Sequence, residues 1–223
     1  MPLSDLLKAT FLAISALFPI VNPLAGSPIF LSLTNEYTRA DRHSLSRRIG
    51  VNSFFLLIGS YLVGSHILSF FGISLPVVQV GGGLVVISTG WSILQRGADD
   101  GERKEVRQSI QPKDPSRLAF YPFTLPLTVG PGSISVAITL GANAPLAYPG
   151  NGSAVVGTLI GSAVVALSVY LCYGFADRLA RILGPTGMTV IARLSSFLLV
   201  CIGVQILWNG ISTLIAGLHL RTS

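Results

Sequence analysis

Six long apolar stretches constrain this chain more than anything else in it. They run about Leu6–Leu33, Ile49–Phe70, Val77–Leu94, Leu118–Leu140, Ser153–Tyr173 and Ala192–Gly217. About twenty apolar residues in a helix cover the roughly 30 Å hydrocarbon layer of a bilayer. Only 11% of the residues are charged, against about 25% in soluble domains, so there is little polar surface to face water. The sequence predicts an all-α integral membrane protein of six transmembrane helices, with the lipid bilayer as its first partner.

The first stretch is broken from within. Phe18–Phe30 reads FPIVNPLAGSPIF, with three prolines, an asparagine, a glycine and a serine. Proline inside a helix removes a backbone donor and crowds the preceding turn. The fourth stretch repeats the pattern in YPFTLPLTVGPGSI, Tyr121–Ile134. Pro19 and Pro122, Pro23 and Pro126, and Pro28 and Pro131 are each separated by 103 positions, as are Leu24 and Leu127. Weaker echoes pair GISLP at Gly72–Pro76 with LGPTG at Leu183–Gly187, and the GWSIL ending at Leu94 with the GVQIL ending at Leu207. The chain thus divides into a first three-helix repeat (1–95), a polar linker (96–117) and a second three-helix repeat (118–223). Three crossings per half invert the second half in the membrane, the 3+3 inverted-repeat design of many transporters. A first segment with an internal counterpart reads as structure, not as a cleaved leader.

Loop charge orients the chain. With six crossings, three loops share one side and carry thirteen of the fifteen Lys and Arg, from Arg39 to Arg193; Lys8 and Arg221 lie on the other. Basic loops stay in the cytoplasm, so the 95–117 loop is expected inside and both termini outside. Two re-entrant hairpins would give nearly the same charge asymmetry with both termini inside. The length of each broken segment favours crossing. The net charge of +6 is explained by this topology, and no nucleic-acid motif accompanies it.

Irregular backbone at membrane depth survives only when buried in protein or lining a polar cavity. Two breaks in register point to one shared site. Asn and Ser are good helix N-caps and Pro suits the first helical position, so Asn22-Pro23 and Ser27-Pro28 read as helix restarts. Gly130-Pro131 does the same in the second half. A helix start offers N–H groups and partial positive charge to a carboxylate. Gly26, Gly130 and Gly132 permit close approach, and unwound carbonyls can accept from an ammonium. A small zwitterion could then bind without any charged side chain. The plainer alternative is that the prolines kink packed helices while Ser27, Thr124 and Thr128 satisfy freed carbonyls.

Other chemistries are poorly served. His66 is the one ionisable residue well inside an apolar stretch; it is either a proton relay or an interfacial residue. Intramembrane catalysis needs clustered His, Asp, Glu or Cys, and Ser27 has no evident base. Cys172 and Cys201 read as packing residues. Gln79, Gln205, Ser88, Thr89, Ser195 and Ser196 read as interhelical hydrogen-bonding groups, and Gly81–Gly83 as close packing. No GxxxxGK[ST] loop is present for ATP. The fold class fits a secondary transporter first, a channel or passive facilitator second and an enzyme third. No cofactor is expected; H⁺ or Na⁺ coupling and oligomerisation stay open.

NPLAGSPIF at Asn22–Phe30 and PLTVGPGSI at Pro126–Ile134, within six apolar segments, resemble the MarC family of bacterial and archaeal membrane proteins. That family is related to LysE-type amino-acid exporters, and its SnatA-like branch transports small neutral amino acids such as glycine and alanine. The resemblance implies that helices one and four are discontinuous and hold substrate at their breaks, with the two halves rocking around it. It places Asn22, Pro23, Gly26, Ser27 and Pro28 on one side of the site. It places Pro126, Thr128, Gly130, Pro131, Gly132 and Ser133 on the other, with Thr124 nearby. Relatives often carry apolar residues at the positions of Thr124 and Thr128, which bears on substrate preference.

Overall fold

A computed structural model describes residues 3–95, 118–143 and 152–222 of the chain. The expected polar linker, 96–117, lies outside the described residues. Helix α1 (Leu3–Val21) is followed after one residue by α2 (Pro23–Leu33). Asn22, between them, has φ 47° and ψ 58°, the left-handed conformation that Asn tolerates better than most residues. Its Oδ1 accepts from the Ala25 N–H at 3.4 Å, and Pro23 occupies the first helical position, where its missing donor is not needed. The ladder is only locally disturbed: Asn22 N–H still donates to Phe18 O and Gly26 N–H to Asn22 O. Leu3–Leu33 therefore forms one apolar element long enough to span a membrane.

Thr38 starts α3 (Arg39–Phe70). Its Oγ1 accepts from Asp41 N–H at 3.2 Å and donates to the Asp41 carboxylate at 2.7 Å, a reciprocal cap with an acid in the favourable first turn. At 32 residues, α3 is about 48 Å long, so its basic first turns extend beyond any hydrocarbon layer. Gly72, at φ 68°, turns the chain into α4 (Leu75–Gln95).

The second proline-rich region is more open. Ala119–Thr128 forms wide turns, and Tyr121 and Leu125 are extended, as residues before proline tend to be. The Tyr121–Pro122 and Leu125–Pro126 bonds are cis. Helix α5 (Pro131–Asn143) leaves this segment at 73°. Then come α6 (Gly152–Gly174) and α7 (Ala176–Thr222), the latter interrupted at Gly184, φ 64° and ψ 174°. Five elements are long and apolar enough to cross a membrane, or six if the bent pair 119–143 counts as one. Among the described residues there is no strand.

Small residues set the helix contacts, as expected where lipid removes most of the hydrophobic drive for helices to associate. The largest interface joins α4 and α7. A Cβ on Gly83 would stand 2.6 Å from Leu207 N, one on Gly203 2.8 Å from Ile87 N, and one on Gly210 2.7 Å from Pro76 O. Gly157 and Gly161 bring α6 onto Ala9 and Ala13 of α1, and Gly50 brings α3 onto α6. Phe11, Phe55, Phe70, Trp91, Leu194 and Trp208 point outward, where lipid replaces water as their neighbour.

Candidate functional site

A cavity of about 410 Å³ opens between three walls. Ile20, Asn22, Ala25, Gly26 and Ile29 form the first, from the α1–α2 break. Pro126–Thr128 and Gly130–Ser133 form the second, at the bend into α5. Val85, Ser88, Thr89 and Ser92 of α4 form the third. Each half of the chain thus brings its proline-rich break to the same space.

The polar groups at the breaks differ in what they have left to offer. Asn22 Nδ2 is buried without a partner, a costly arrangement for an amide. At the start of α5 the backbone ladder begins with Ile134 N–H donating to Gly130 O at 3.2 Å, and the N–H groups of Gly132 and Ser133 have no backbone acceptor. Ser133 is 2% exposed and lines the cavity. Donors therefore collect at this end, where the helix start adds partial positive charge.

The hydroxyls at the breaks, by contrast, are already committed to backbone carbonyls. Ser27 donates to Pro23 O (2.8 Å) and lies 3.2 Å from Cys172 O. Thr124 donates to Ala119 O (2.6 Å), Thr128 to Phe123 O (2.7 Å), and Val129 N–H to Thr124 O (2.8 Å). Of the residues named from sequence, Asn22, Gly26, Pro126, Thr128, Gly130, Pro131, Gly132 and Ser133 line the cavity. Pro23, Ser27, Pro28 and Thr124 do not; Pro23, Ser27 and Thr124 are buried in the packing behind it. Ser88 and Thr89, marked from the sequence only as interhelical bonding groups, join the cavity, as does Ser92, which the sequence reading did not single out. Thr89 bonds Val85 O of its own helix at 2.8 Å. Their spacing in an otherwise apolar turn of α4 was the available signal.

Tyr173 of α6, fully buried, ties the breaks together. Its hydroxyl is 3.1 Å from Thr128 Oγ1; Thr128 gives its own proton to Phe123 O, so Tyr173 is the donor. The same hydroxyl occupies the space a side chain at Gly26 would need. The ring stacks on Phe30 at 4.8 Å, and Phe30 meets Phe123 edge-on at 5.4 Å. Nothing local in the sequence signals this contact, because α6 is distant from both breaks along the chain.

At one end of the helices, Arg42 of α3 pairs with Asp177 of α7 at 3.0 Å and reaches Thr34 O at 3.4 Å. His43 lies 3.3 Å from the Tyr170 hydroxyl. These contacts put the turn after α2 and the corner between α6 and α7 at the same end of the bundle. Tyr37, in that turn, has its pKa raised by burial and by Glu36 and Asp41.

The fold and cavity define a multi-pass α-helical membrane protein with a chamber between its helices that no charged side chain lines. The sequence profile described as MarC family integral membrane protein matches residues 7–215. Similar proteins are each called inner membrane protein MarC. That of Citrobacter koseri is 32% identical over 222 residues, 96% of this chain and 99% of its own. Those of Salmonella typhimurium and Escherichia coli UTI89 are 31% identical over 220 and 219 residues, again 96% and 99%. This chain belongs to the MarC family. No solved structure matches it.

Proposed function

We propose that this protein is a secondary transporter of small neutral amino acids of the glycine and alanine kind, working by alternating access in a prokaryotic inner membrane. The observation that carries this reading is the convergence of both breaks, one from each half, on one cavity. Such a site at a repeat interface is the working part of many secondary transporters. The chamber volume lies in the range of small-molecule sites, and its donors suit a carboxylate without fixing a net charge.

The inverted 3+3 repeat is part of the proposal. Exchanging the halves maps the α1–α2 element onto 119–143, α3 onto α6 and α4 onto α7. The main interfaces then exchange in pairs: α1 on α6 with 119–128 on α3, α2 on α6 with α5 on α3, and α2 on α7 with α5 on α4; α4–α7 and α3–α6 map onto themselves. Ser53 and Ser162, Tyr61 and Tyr170, and Leu62 and Leu171 add matches 109 positions apart. The basic end that holds Arg42 and Asp177 is taken as cytoplasmic, with both termini periplasmic. The relatives' designation as inner membrane proteins supports the location.

Counterflow tests this. Proteoliposomes preloaded with unlabelled glycine or alanine should accumulate external label, and Asn22→Gly and Ser133→Ala should each reduce it. No accumulation with any of a panel of neutral amino acids overturns the substrate. Uptake without counterflow, with current in a planar bilayer, favours a passive facilitator instead.

A further inference from the structure

We infer that the outward face of α7 docks against the same face of a second copy of this chain, with Gln205 at the centre of the contact. The inference concerns assembly and does not depend on what the cavity carries.

The first observation is an amide pair on the outside of a membrane helix. Gln205 and Asn209 lie one turn apart on α7 and are both exposed. Gln205 Nε2 donates to Asn209 Oδ1 at 2.9 Å, which uses one hydrogen of the Gln205 amide. Its second N–H and its Oε1 have no partner among the described residues. The sequence marks Gln205 as an interhelical bonding group, yet within one chain its amide bonds only its own helix.

The second observation is depth. Gln205 lies between Gly203 and Leu207, whose backbones meet Gly83 of α4. Gly83 is eight residues past Leu75, the start of α4, or about 12 Å along a helix. Even with Leu75 at the membrane surface, Gln205 is level with hydrocarbon and not with headgroups. Lipid tails offer an amide neither donor nor acceptor, and polar groups at that depth are satisfied by another helix or a cavity. Gln205 does not line the cavity.

The third is spacing. Leu194, Leu198, Cys201, Gln205, Trp208 and Ser212 follow one another at steps of four, three, four, three and four. That is the seam by which two helices pack knobs into holes, and a single polar residue within such a seam fixes register and partner number. All but the half-buried Ser212 are exposed, Leu194 and Trp208 at 61%. A second copy is the occupant because the free groups are self-complementary. Two chains inserted in the same orientation and related by a two-fold axis bring equal residues to equal depth. Each Gln205 can then give its remaining N–H to the Oε1 of its counterpart and accept one in return.

The test uses the full-length chain in membranes. With Cys172→Ala, Cys201 is the sole thiol, on the seam one turn before Gln205. Oxidation by copper phenanthroline should link it into a dimer about tenfold faster than Phe55→Cys, placed on the exposed side of α3 in a chain with both native cysteines replaced by alanine, because a held pair has a higher effective concentration than colliding chains. Equal rates, or no dimer, overturn the proposal. Cys201 linked only to a chain of different mass in native membranes overturns the second copy as occupant. In liposomes of varied protein-to-lipid ratio, subunit counting by photobleaching should give dimers, and Gln205→Leu should weaken them about tenfold. A dimer that Gln205→Leu leaves equally tight overturns the place of Gln205 in the contact. Trp208→Ala removes a seam ring without touching the amide; it should also weaken the dimer, and it decides the matter if Gln205→Leu fails to fold.

Discussion

The two proline-rich breaks share their proline spacing and differ in almost everything else. The first is one residue wide. Asn22 takes the left-handed conformation, caps α2 and lets the helix axis carry on, so that Leu3–Leu33 remains a single element. The second spans ten residues, contains two extended ones, and ends in a 73° bend. Proline fixes where a helix must yield; the residues between the prolines decide how far. Asn between Val21 and Pro23 supplies both a residue that tolerates positive φ and a capping oxygen. Tyr121 and Leu125 supply neither, so the chain opens into extended steps, and the hydroxyls of Thr124 and Thr128 reach back five residues to close them.

The sharpest way to break this contrast is to fill the cavity from the second side. Gly132→Val would drive its side chain into Val86, and counterflow should fall to background, with about 1–3 kcal/mol of lost stability in detergent melts. Gly130→Ala, whose Cβ meets only Pro126 O at 3.2 Å, should keep most uptake. Next comes Asn22. Asn22→Ala loses both the cap and the tolerance for positive φ and should cost about 2 kcal/mol. Asn22→Gly should cost only a few tenths, yet lose uptake to the same degree, because both remove Nδ2. If Asn22→Gly transports normally, the first break is structural only. Tyr173→Phe should cost about 1 kcal/mol, and a double-mutant cycle with Thr128→Val should show that the two losses are one interaction. The smallest effect is expected far from both breaks: Asp177→Asn, which unpairs Arg42 at the water-facing end, should cost about 1 kcal/mol or less and leave substrate affinity unchanged.

Much of this was legible in the sequence because membrane length and proline chemistry are local rules. The six apolar stretches correspond to the five or six membrane-length elements, and Asn22-Pro23 announces its own helix start. The face of each helix was harder. Asn22, Gly26 and Ile29 line the cavity at helical spacing, while Pro23, Ser27 and Phe30 fall on the neighbouring face, about 100° around the helix, and are buried against other elements. The 3.6-residue period alone would have separated them. In the second break no such period exists, so which of Thr124 and Thr128 meets the cavity follows from tertiary structure. Tyr173 was out of reach for a different reason: its role comes from contacts between segments far apart in sequence.

The order of Asn22 and Pro23 also bears on how the chamber ages. A side-chain amide is usually lost when the next residue's backbone nitrogen attacks it and closes a five-membered imide. Pro23 has no N–H to give up, so that route is shut at Asn22. The one amide in the cavity wall, placed where a deamidated carboxylate would repel an anion, is thereby shielded from slow chemical decay by the same proline that restarts the helix.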